Sequence, residues 1–202
     1  AKPRNLLHRI YAMLLDYFFQ GLITQASFFG KFTWPLKAPA AVRRGEYVDF
    51  IGINYYTRST VSRFDDGVRA DAPKNDLGWE IYPEGLIRCA AKMYGLLKRP
   101  IYITENGTCD NTDAFRCRYL YDHLKVIAEA DLPIERYYHW CFCDNFEWIE
   151  GESARFGLVH VDYEFQQRTV KRAGKFFAAL IQAGGVNQEL YDEYVKEQKY
   201  HF

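Results

Sequence analysis

The sequence lacks the features that mark several large classes of protein. Lys and Arg number 26, and Asp and Glu also number 26, so there is no excess of positive charge for a nucleic acid or an acidic membrane. No apolar run approaches the roughly 20 residues that a membrane-spanning helix needs. Low-complexity tracts are absent, while Tyr (16) and Phe (15) are frequent, which excludes intrinsic disorder. The 202 residues, 49% of them hydrophobic, can form a sizeable core in one domain or two small ones.

The spacing of the cysteines fits neither a metal knuckle nor a disulfide framework. The five cysteines are Cys89, Cys109, Cys117, Cys141 and Cys143. Their number is odd, and only one residue separates the last two, which is too short for the usual C-x-x-C ligand pair. No charged-then-apolar leader follows the first residue. We therefore expect reduced, mostly buried thiols in a cytoplasmic protein.

Hydrophobic periodicity predicts helices that alternate with short buried strands. Helices are expected at residues 5–19, 83–98, 113–130 and 169–183, and strands at residues 47–56, 100–104 and 134–142. Gly21 should stop the first helix, and Asp113 should cap the third. The stretch 58–76 predicts a long surface loop with room for a hairpin, and residues 156–165 predict a second hairpin. The alternation favours an α/β fold with parallel strands, in which residues 1–202 form a single segment that ends in a tail at 186–202.

Polar and aromatic side chains cluster where the predicted strands end. Asn54 and Tyr56 close the first strand, Glu105 follows the second, Trp140 lies in the third, and Glu147 comes shortly after it. Functional groups at the carboxyl ends of parallel strands are typical of a (β/α) barrel active site. A carboxylate that leaves a buried strand is a candidate nucleophile or base, and tryptophans beside Glu and Asn suit a sugar ring. From the residues alone, a buried Glu in an ion pair among core tryptophans explains the pattern equally well.

Four stretches of the chain resemble glycoside hydrolase family 1, the β-glucosidase family. They are residues 49–56, 78–86, 100–107 and 144–148, the last followed by 155–163, and they occur in the family's order. The resemblance implies part of a TIM (β/α)8 barrel, roughly strands six to eight with their helices, from the barrel's C-terminal half. It also implies retaining hydrolysis of β-O-glycosidic bonds in unphosphorylated β-glucoside-like substrates, with neither a cofactor nor a metal.

The resemblance assigns roles to particular residues. Glu105 is implied to be the nucleophile that attacks the anomeric carbon, and Tyr56 to hydrogen-bond and orient it. His139 and His160 are expected to be structural histidines rather than ligands. The residues implied to bind the sugar or its leaving group are Asn54, Trp79, Trp140, Glu147, Trp148 and Phe156.

The general acid/base of the family has no counterpart in these 202 residues. In the family it is the Glu of a Thr-Asn-Glu-Pro motif, and retaining hydrolysis needs two carboxyl groups about 5–5.5 Å apart. Two hypotheses follow: a β-glucosidase-type hydrolase that requires a missing N-terminal half, or a catalytically incomplete partial barrel with a sugar-binding or structural role. The expected partners are a carbohydrate substrate and an N-terminal half-barrel chain, or a second copy that covers open strand edges.

Overall fold

The computed structural model describes residues 5–62 and 65–202. The helices are α1 (Leu6–Asp16), α2 (Leu22–Phe29), α3 (Pro83–Leu96), α4 (Arg116–Ala128), α5 (Arg172–Ala183) and α6 (Gln188–Leu190), with short helical turns at Tyr17–Gly21, Trp148–Glu150 and Tyr191–Val195. The strands are β1 (Ile51–Tyr55), β2 (Thr60–Ser62), β3 (Asp65–Gly67), β4 (Ile101–Asn106), β5 (Ile134–His139), β6 (Val159–Val161) and β7 (Arg168–Val170).

Backbone contacts divide the chain into two compact units. The first comprises Ala1–Ile51 and Ser59–Val68, and the second comprises Gly52–Arg58 and Arg69–Phe202. Among the residues that the structure describes, no helix is long and apolar enough to cross a membrane. The single-segment assignment of residues 1–202 and the tail at 186–202 stay predictions.

The first unit contains α1, α2 and the small antiparallel hairpin of β2 and β3. Asn5 caps α1 by accepting a hydrogen bond from the N–H of His8. The prediction that Gly21 ends the helix is wrong, because the chain continues through the Tyr17–Gly21 turn into α2. Glycine inside a helix costs only about 1 kcal/mol relative to alanine, which a long helical segment tolerates. The helix stops instead at Gly30, whose left-handed backbone (φ 57°) supplies the C-terminal cap.

The apolar side chains of α1 are exposed within the structure. His8 is the buried residue of this helix, whereas Leu7 and Met13 are 63% and 67% exposed. Leu6, Ile10 and Leu14 are exposed as well. The sequence therefore gives α1 an apolar face, and the described residues leave that face open.

A three-stranded sheet in the order β1-β4-β5 positions the chemistry of the second unit. β4 and β5 are parallel, with Ile101 opposite Ile134 and Ile103 opposite Tyr137. The two isoleucines of β4 are fully buried, as expected for a strand covered on its apolar face. The third strand ends at His139 instead of residue 142. The α/β alternation with a parallel pair is otherwise confirmed.

Two helices of this unit, α4 and α5, pack with the last helical turn around an apolar core. Leu120 of α4, Phe176 of α5 and Val195 of the last helical turn are all fully buried there. Further along, the tail is tied down by Gln198, whose side-chain oxygen accepts from the N–H of Arg118 at 2.9 Å. Tyr200 donates a 2.7 Å hydrogen bond to Asp122.

Two sequence predictions need correction in this unit. α4 begins at Arg116, not at Asp113, because the carboxylate of Asp110 accepts hydrogen bonds from the N–H groups of Ala114 and Phe115. Asp113 has a left-handed backbone (φ 58°) and forms an ion pair with Arg116 instead. The second hairpin also lies later than residues 156–165, since it pairs β6 with β7.

Candidate active site

Glu105 and Tyr56 meet at the ends of two neighbouring strands. Glu105 lies at the penultimate position of β4, and Tyr56 directly follows β1. The Tyr56 hydroxyl donates a 2.6 Å hydrogen bond to Oε2 of Glu105. Burial, and then this hydrogen bond, raise the pKa of Tyr56 far above its usual range. Tyr56 therefore keeps its proton at ordinary pH and remains a donor to the half-buried carboxylate.

Asn54 and Thr104 connect the same two strands one step earlier. The Thr104 hydroxyl donates to Oδ1 of Asn54 at 2.7 Å. Asn54 lies on the exposed face of β1, opposite the buried Ile53 and Tyr55. Asn54 is therefore tied to β4, the strand that carries Glu105, on the exposed face of β1.

An aromatic wall stands beside the Tyr56–Glu105 pair. The rings of Tyr56, Trp79 and Phe156 meet at centroid distances of 6.0–6.3 Å. Phe156 is buried, whereas Tyr56 and Trp79 are half-buried and pack against a cluster that includes Cys109 and Cys141. Edge and tilted ring contacts of this kind hold aromatic faces rigidly. A sugar ring presents C–H groups that such a wall can contact.

Trp140 and Glu147 form the second part of the predicted sugar site. Trp140 directly follows β5, and its indole Nε1 donates to Oε2 of Glu147 at 3.3 Å. Glu147 is held by its own N–H, which donates to the carbonyl of Gly151 at 2.7 Å. Trp148 lies outside the aromatic cluster and is 78% exposed. The sugar-binding role of Trp148 thus stays a prediction.

The loops that follow β4 and β5 touch through their backbones. The N–H of Trp140 donates to the carbonyl of Asn106 at 3.0 Å. A Cβ atom on Gly107 would lie 1.8 Å from the carbonyl oxygen of Trp140, so only glycine permits this approach. The segment carrying Glu105 and the segment carrying Trp140 are consequently fixed to each other.

Two polar groups orient the loop that carries Trp79, and neither stood out in the sequence. The side-chain oxygen of Asn75 accepts the N–H of Leu77 at 3.0 Å and that of Trp79 at 2.9 Å. Glu80, which is 3% exposed, pairs with both nitrogens of the Arg58 fork at 3.0 and 2.7 Å. Paired, hydrogen-bonded burial of this kind is what a carboxylate inside a protein requires.

Asp144 is a second buried carboxylate that sequence reasoning passed over. It accepts from Lys171 Nζ at 2.8 Å, from Arg155 at 3.4 Å and from the N–H of Gly157 at 2.8 Å. His160 Nδ1 lies 3.5 Å away. Burial lowers the pKa of Lys171 below its usual value. Asp144 opens the motif 144–148, and that position was the available signal for its importance.

The two histidines behave as expected for structural groups. Nε2 of His139 lies 3.3 Å from the carbonyl of Phe156, and burial lowers the pKa of His139 to about 3. The ring is therefore neutral and directed at the backbone of the aromatic wall. His160 faces the carboxylate of Asp144.

The structure has the five cysteines as thiols outside any disulfide, and three of them are buried. Cys109, Cys117 and Cys141 are the buried thiols, and burial raises the pKa of Cys141 to about 12 and that of Cys109 to about 11. Thiols of this kind are packing groups rather than nucleophiles. The prediction of mostly buried thiols is confirmed.

The family model for Glycosyl hydrolase family 1 matches residues 40–186, and the chain belongs to this family. A β-glucosidase from an Agrobacterium species is 40% identical over 157 residues, which cover 66% of this chain and 34% of that protein. A β-galactosidase from Sulfolobus acidocaldarius is 32% identical, over 71% of this chain and 33% of that protein.

Solved structures agree with the sequence match. The β-glycosidase from Pyrococcus horikoshii superposes with a TM-score of 0.80 at 30% identity, over 96% of this chain and 48% of that one. The fold is thus part of a TIM (β/α)8 barrel, as the resemblance implied. The chain spans about a third of the length of these curated relatives and about half of this solved chain.

Proposed function

We propose that the chain supplies the nucleophile and one sugar-binding wall of a retaining β-glycosidase. The observation that carries this proposal is the 2.6 Å hydrogen bond from Tyr56 to Glu105. In a double displacement, Glu105 attacks the anomeric carbon and forms a glycosyl–enzyme ester, which water then hydrolyses. The bond from Tyr56 aims one carboxylate oxygen and leaves the other free for attack.

The proposed substrate is an unphosphorylated β-glucoside or a related sugar. Glu147 places a carboxylate beside the Trp140 indole, where it can accept hydrogen bonds from sugar hydroxyls. A phosphate on the same hydroxyls would be repelled by this charge. The matched relatives bear the names β-glucosidase and β-galactosidase, which fits a neutral hexose and leaves open the choice at a single hydroxyl.

The leaving group needs a proton donor that the chain does not contain in the family's Thr-Asn-Glu-Pro form. We propose that an N-terminal half-barrel supplies this donor, and that this half, or a second copy of the chain, covers the open strand edges. β1 and β5 are the outer strands of the three-stranded sheet, and an outer strand is a ready template for further pairing. Sedimentation velocity of the chain alone, and mixed with an N-terminal half from a relative, measures which assembly forms.

A mechanism-based label tests the nucleophile without requiring the missing acid. The chain is incubated with a 2-fluoro-glucoside that carries a very good leaving group, and its intact mass is measured. One added 2-fluoroglucosyl group, mapped to Glu105, is the expected result. Glu105→Gln should abolish the label, and Glu135→Gln, an exposed carboxylate of β5, should leave it unchanged.

One outcome contradicts the enzymatic proposal. The absence of label on the wild-type chain, alone and with the added half, would exclude a competent nucleophile. If calorimetry still shows sugar binding in that case, the second hypothesis, a catalytically incomplete sugar-binding barrel segment, takes its place. The missing acid/base motif is the observation that favours this second candidate.

A further inference from the structure

Arg116 is a fully buried cation that lies outside the proposed sugar contacts. Its guanidinium group uses all five of its N–H donors. The acceptors are the carboxylate of Asp113 and the carbonyl oxygens of Thr108, Asp110, Arg155 and Phe156. It is unusual for the side chain of a helix residue to donate to four backbone carbonyls. These bonds indicate that Arg116 stabilises the surrounding loops rather than its own helix.

The four carbonyls belong to two segments of the candidate site. Thr108 and Asp110 lie on the loop that leaves β4 just after Glu105, and Arg155 and Phe156 lie on the segment that carries one ring of the aromatic wall, that of Phe156. The guanidinium lies between them, with bonds of 2.7 Å to Thr108, 2.8 Å to Arg155 and 3.0 Å to Phe156. Each terminal nitrogen of the fork donates to one carbonyl from each segment.

Direct bonds between the two segments run alongside this group. The N–H of Asp110 donates to the carbonyl of Arg155 at 3.1 Å, and the N–H of Arg155 donates to Oδ1 of Asn111 at 3.0 Å. The carbonyl of Phe156 also accepts from the N–H of Cys141 at 3.3 Å. The backbone of Arg155 and Phe156 is therefore fixed on one side by the loop after Glu105 and on the other by the loop after β5.

Only arginine can make this set of bonds. Its fork is planar and presents five donors in fixed directions, whereas lysine offers three donors from a single point. A cation buried here also needs its charge balanced and all of its protons bonded, and the paired Asp113 and the four carbonyls meet that need. A substitution that preserves charge would still leave carbonyls unpaired.

We propose that Arg116 is a positioning residue that sets the spacing between the loop after Glu105 and the Phe156 wall. It thereby determines how tightly the sugar is held, while Tyr56 separately determines how the nucleophile is aimed. The part of this inference that concerns sugar rests on the proposed function. The part that concerns the two segments stands on the geometry alone.

The test compares substitutions at two arginines of α4. Arg116→Lys removes the fork and keeps the charge, and Arg118→Lys is the matched control, since Arg118 forms a partly exposed pair with Asp122. Asn111→Ala is a second test variant. Asn111 is exposed, and its side chain connects the same two segments by accepting the N–H of Arg155. Circular dichroism establishes the folded fraction of each variant, and labelling rates are taken per folded molecule.

Two readouts follow for each variant. The rate of labelling by the 2-fluoro-glucoside at several concentrations separates the dissociation constant of the sugar from the maximal rate of attack. Amide hydrogen exchange, measured by NMR, reports the opening of the Asp110 and Arg155 N–H bonds.

Arg116→Lys should raise the dissociation constant roughly tenfold or more, because hydrogen bonds to a charged donor are lost, while the maximal rate changes much less. Exchange at Asp110 and Arg155 should accelerate relative to the isoleucine amides of β4. Asn111→Ala should shift both readouts in the same direction by a smaller factor. Arg118→Lys should shift neither.

The inference is overturned if Arg116→Lys alters the dissociation constant and the two amides no more than Arg118→Lys. If Arg116→Lys does not fold, equal readouts for Asn111→Ala and the wild-type chain overturn it. A wild-type chain that takes no label contradicts the proposed function alone. In that case, selective acceleration of exchange at the Asp110 and Arg155 amides in Arg116→Lys would still support the role of Arg116 in fixing the two segments.

Discussion

Helices α1 and α4 look alike in sequence and differ in what covers them. Both carry apolar residues at helical spacing, and both are about three turns long. α1 buries His8 alone, whereas α4 buries five residues, namely Arg116, Cys117, Tyr119, Leu120 and His123. The apolar pattern of a helix therefore predicts which face seeks a partner, but not whether the same stretch of chain provides it.

The two helices also differ in the burial of charge. α4 carries the fully buried Arg116 with every donor bonded, next to a loop system that buries Asp144. Such groups are tolerated only where surrounding atoms are fixed to receive them. In contrast, the described face of α1 offers exposed leucine and methionine side chains. We expect the second unit to dominate the free energy of unfolding, and four predictions test that difference, from the largest effect to the smallest.

The largest effect is expected at Asp144. Asp144→Asn leaves Lys171 buried without its closest negative partner, and breaking a buried ion pair costs about 3–5 kcal/mol. Urea denaturation followed by tryptophan fluorescence measures this free energy. The control is Asp192→Asn, which breaks the exposed pair with Lys196 and should produce no measurable change. Equal effects of the two changes would contradict the prediction.

Leucine truncation compares the two helices directly. Leu120→Ala opens a cavity in the core of the second unit and should cost about 2–5 kcal/mol. Leu7→Ala removes a side chain that is 63% exposed and should change the unfolding free energy by less than about 0.5 kcal/mol. The same urea titration serves for both variants. A cost at Leu7 that matches the cost at Leu120 would mean that α1 has a covered face after all.

His123 makes the stability of α4 dependent on pH. Burial lowers its pKa from 6.5 to about 4, so between these values the unfolded chain binds a proton that the folded chain does not. The contribution of neutral His123 is thus complete above pH 6.5 and is lost as the pH falls toward 4. His123→Phe, which can still stack on Tyr119, should reduce the dependence of the thermal midpoint over this window. Part of the dependence should remain, because burial also lowers the pKa of His139, to about 3.

A control separates titration from general destabilisation in that experiment. Leu120→Ala adds no titrating group, so it should lower the midpoint at every pH and keep the wild-type slope. If His123→Phe retains the wild-type slope as well, the pH dependence arises elsewhere in the chain.

The smallest effect on unfolding is expected from polar substitutions on α1. Leu7→Gln combined with Met13→Gln should leave the unfolding free energy nearly unchanged, because both side chains are exposed. The same change should reduce association between chains at high concentration, since exposed apolar patches promote it. Sedimentation velocity over a concentration series measures that shift. Unchanged association would show that this face is not a contact surface.

The sequence predicted the parts of the site that depend on short motifs. The family resemblance implied the hydrogen bond from Tyr56 to Glu105, and the structure contains it. Tyr56 follows β1 and Glu105 lies near the end of the neighbouring β4, so the two side chains meet at one edge of the sheet. The burial of β4 was predicted from its run of apolar residues. These features are local in sequence, or depend on a simple pairing rule.

The parts that were missed depend on distant partners. Arg116 reads as an ordinary helix charge until the carbonyl of Phe156, 40 positions away, is brought to it. The burial of Asp144 is explained by its ion pair with Lys171, which lies 27 positions further along the chain. Asp113 was predicted to cap the helix because aspartate is a common N-cap residue. In the structure the carboxylate of Asp110 accepts the N–H groups of Ala114 and Phe115 instead. Competition between similar local options is settled by packing, which periodicity does not record.

Gly107 has a consequence for anyone who mutates this chain to change its specificity. Even a methyl group at position 107 would collide with the Trp140 carbonyl and force the ends of β4 and β5 apart. Most members of a saturation library at this position would therefore carry a disrupted site. Diversity is better placed at Trp148, whose side chain is 78% exposed. An exposed position and a position that admits only glycine thus lie on consecutive loops of one sheet.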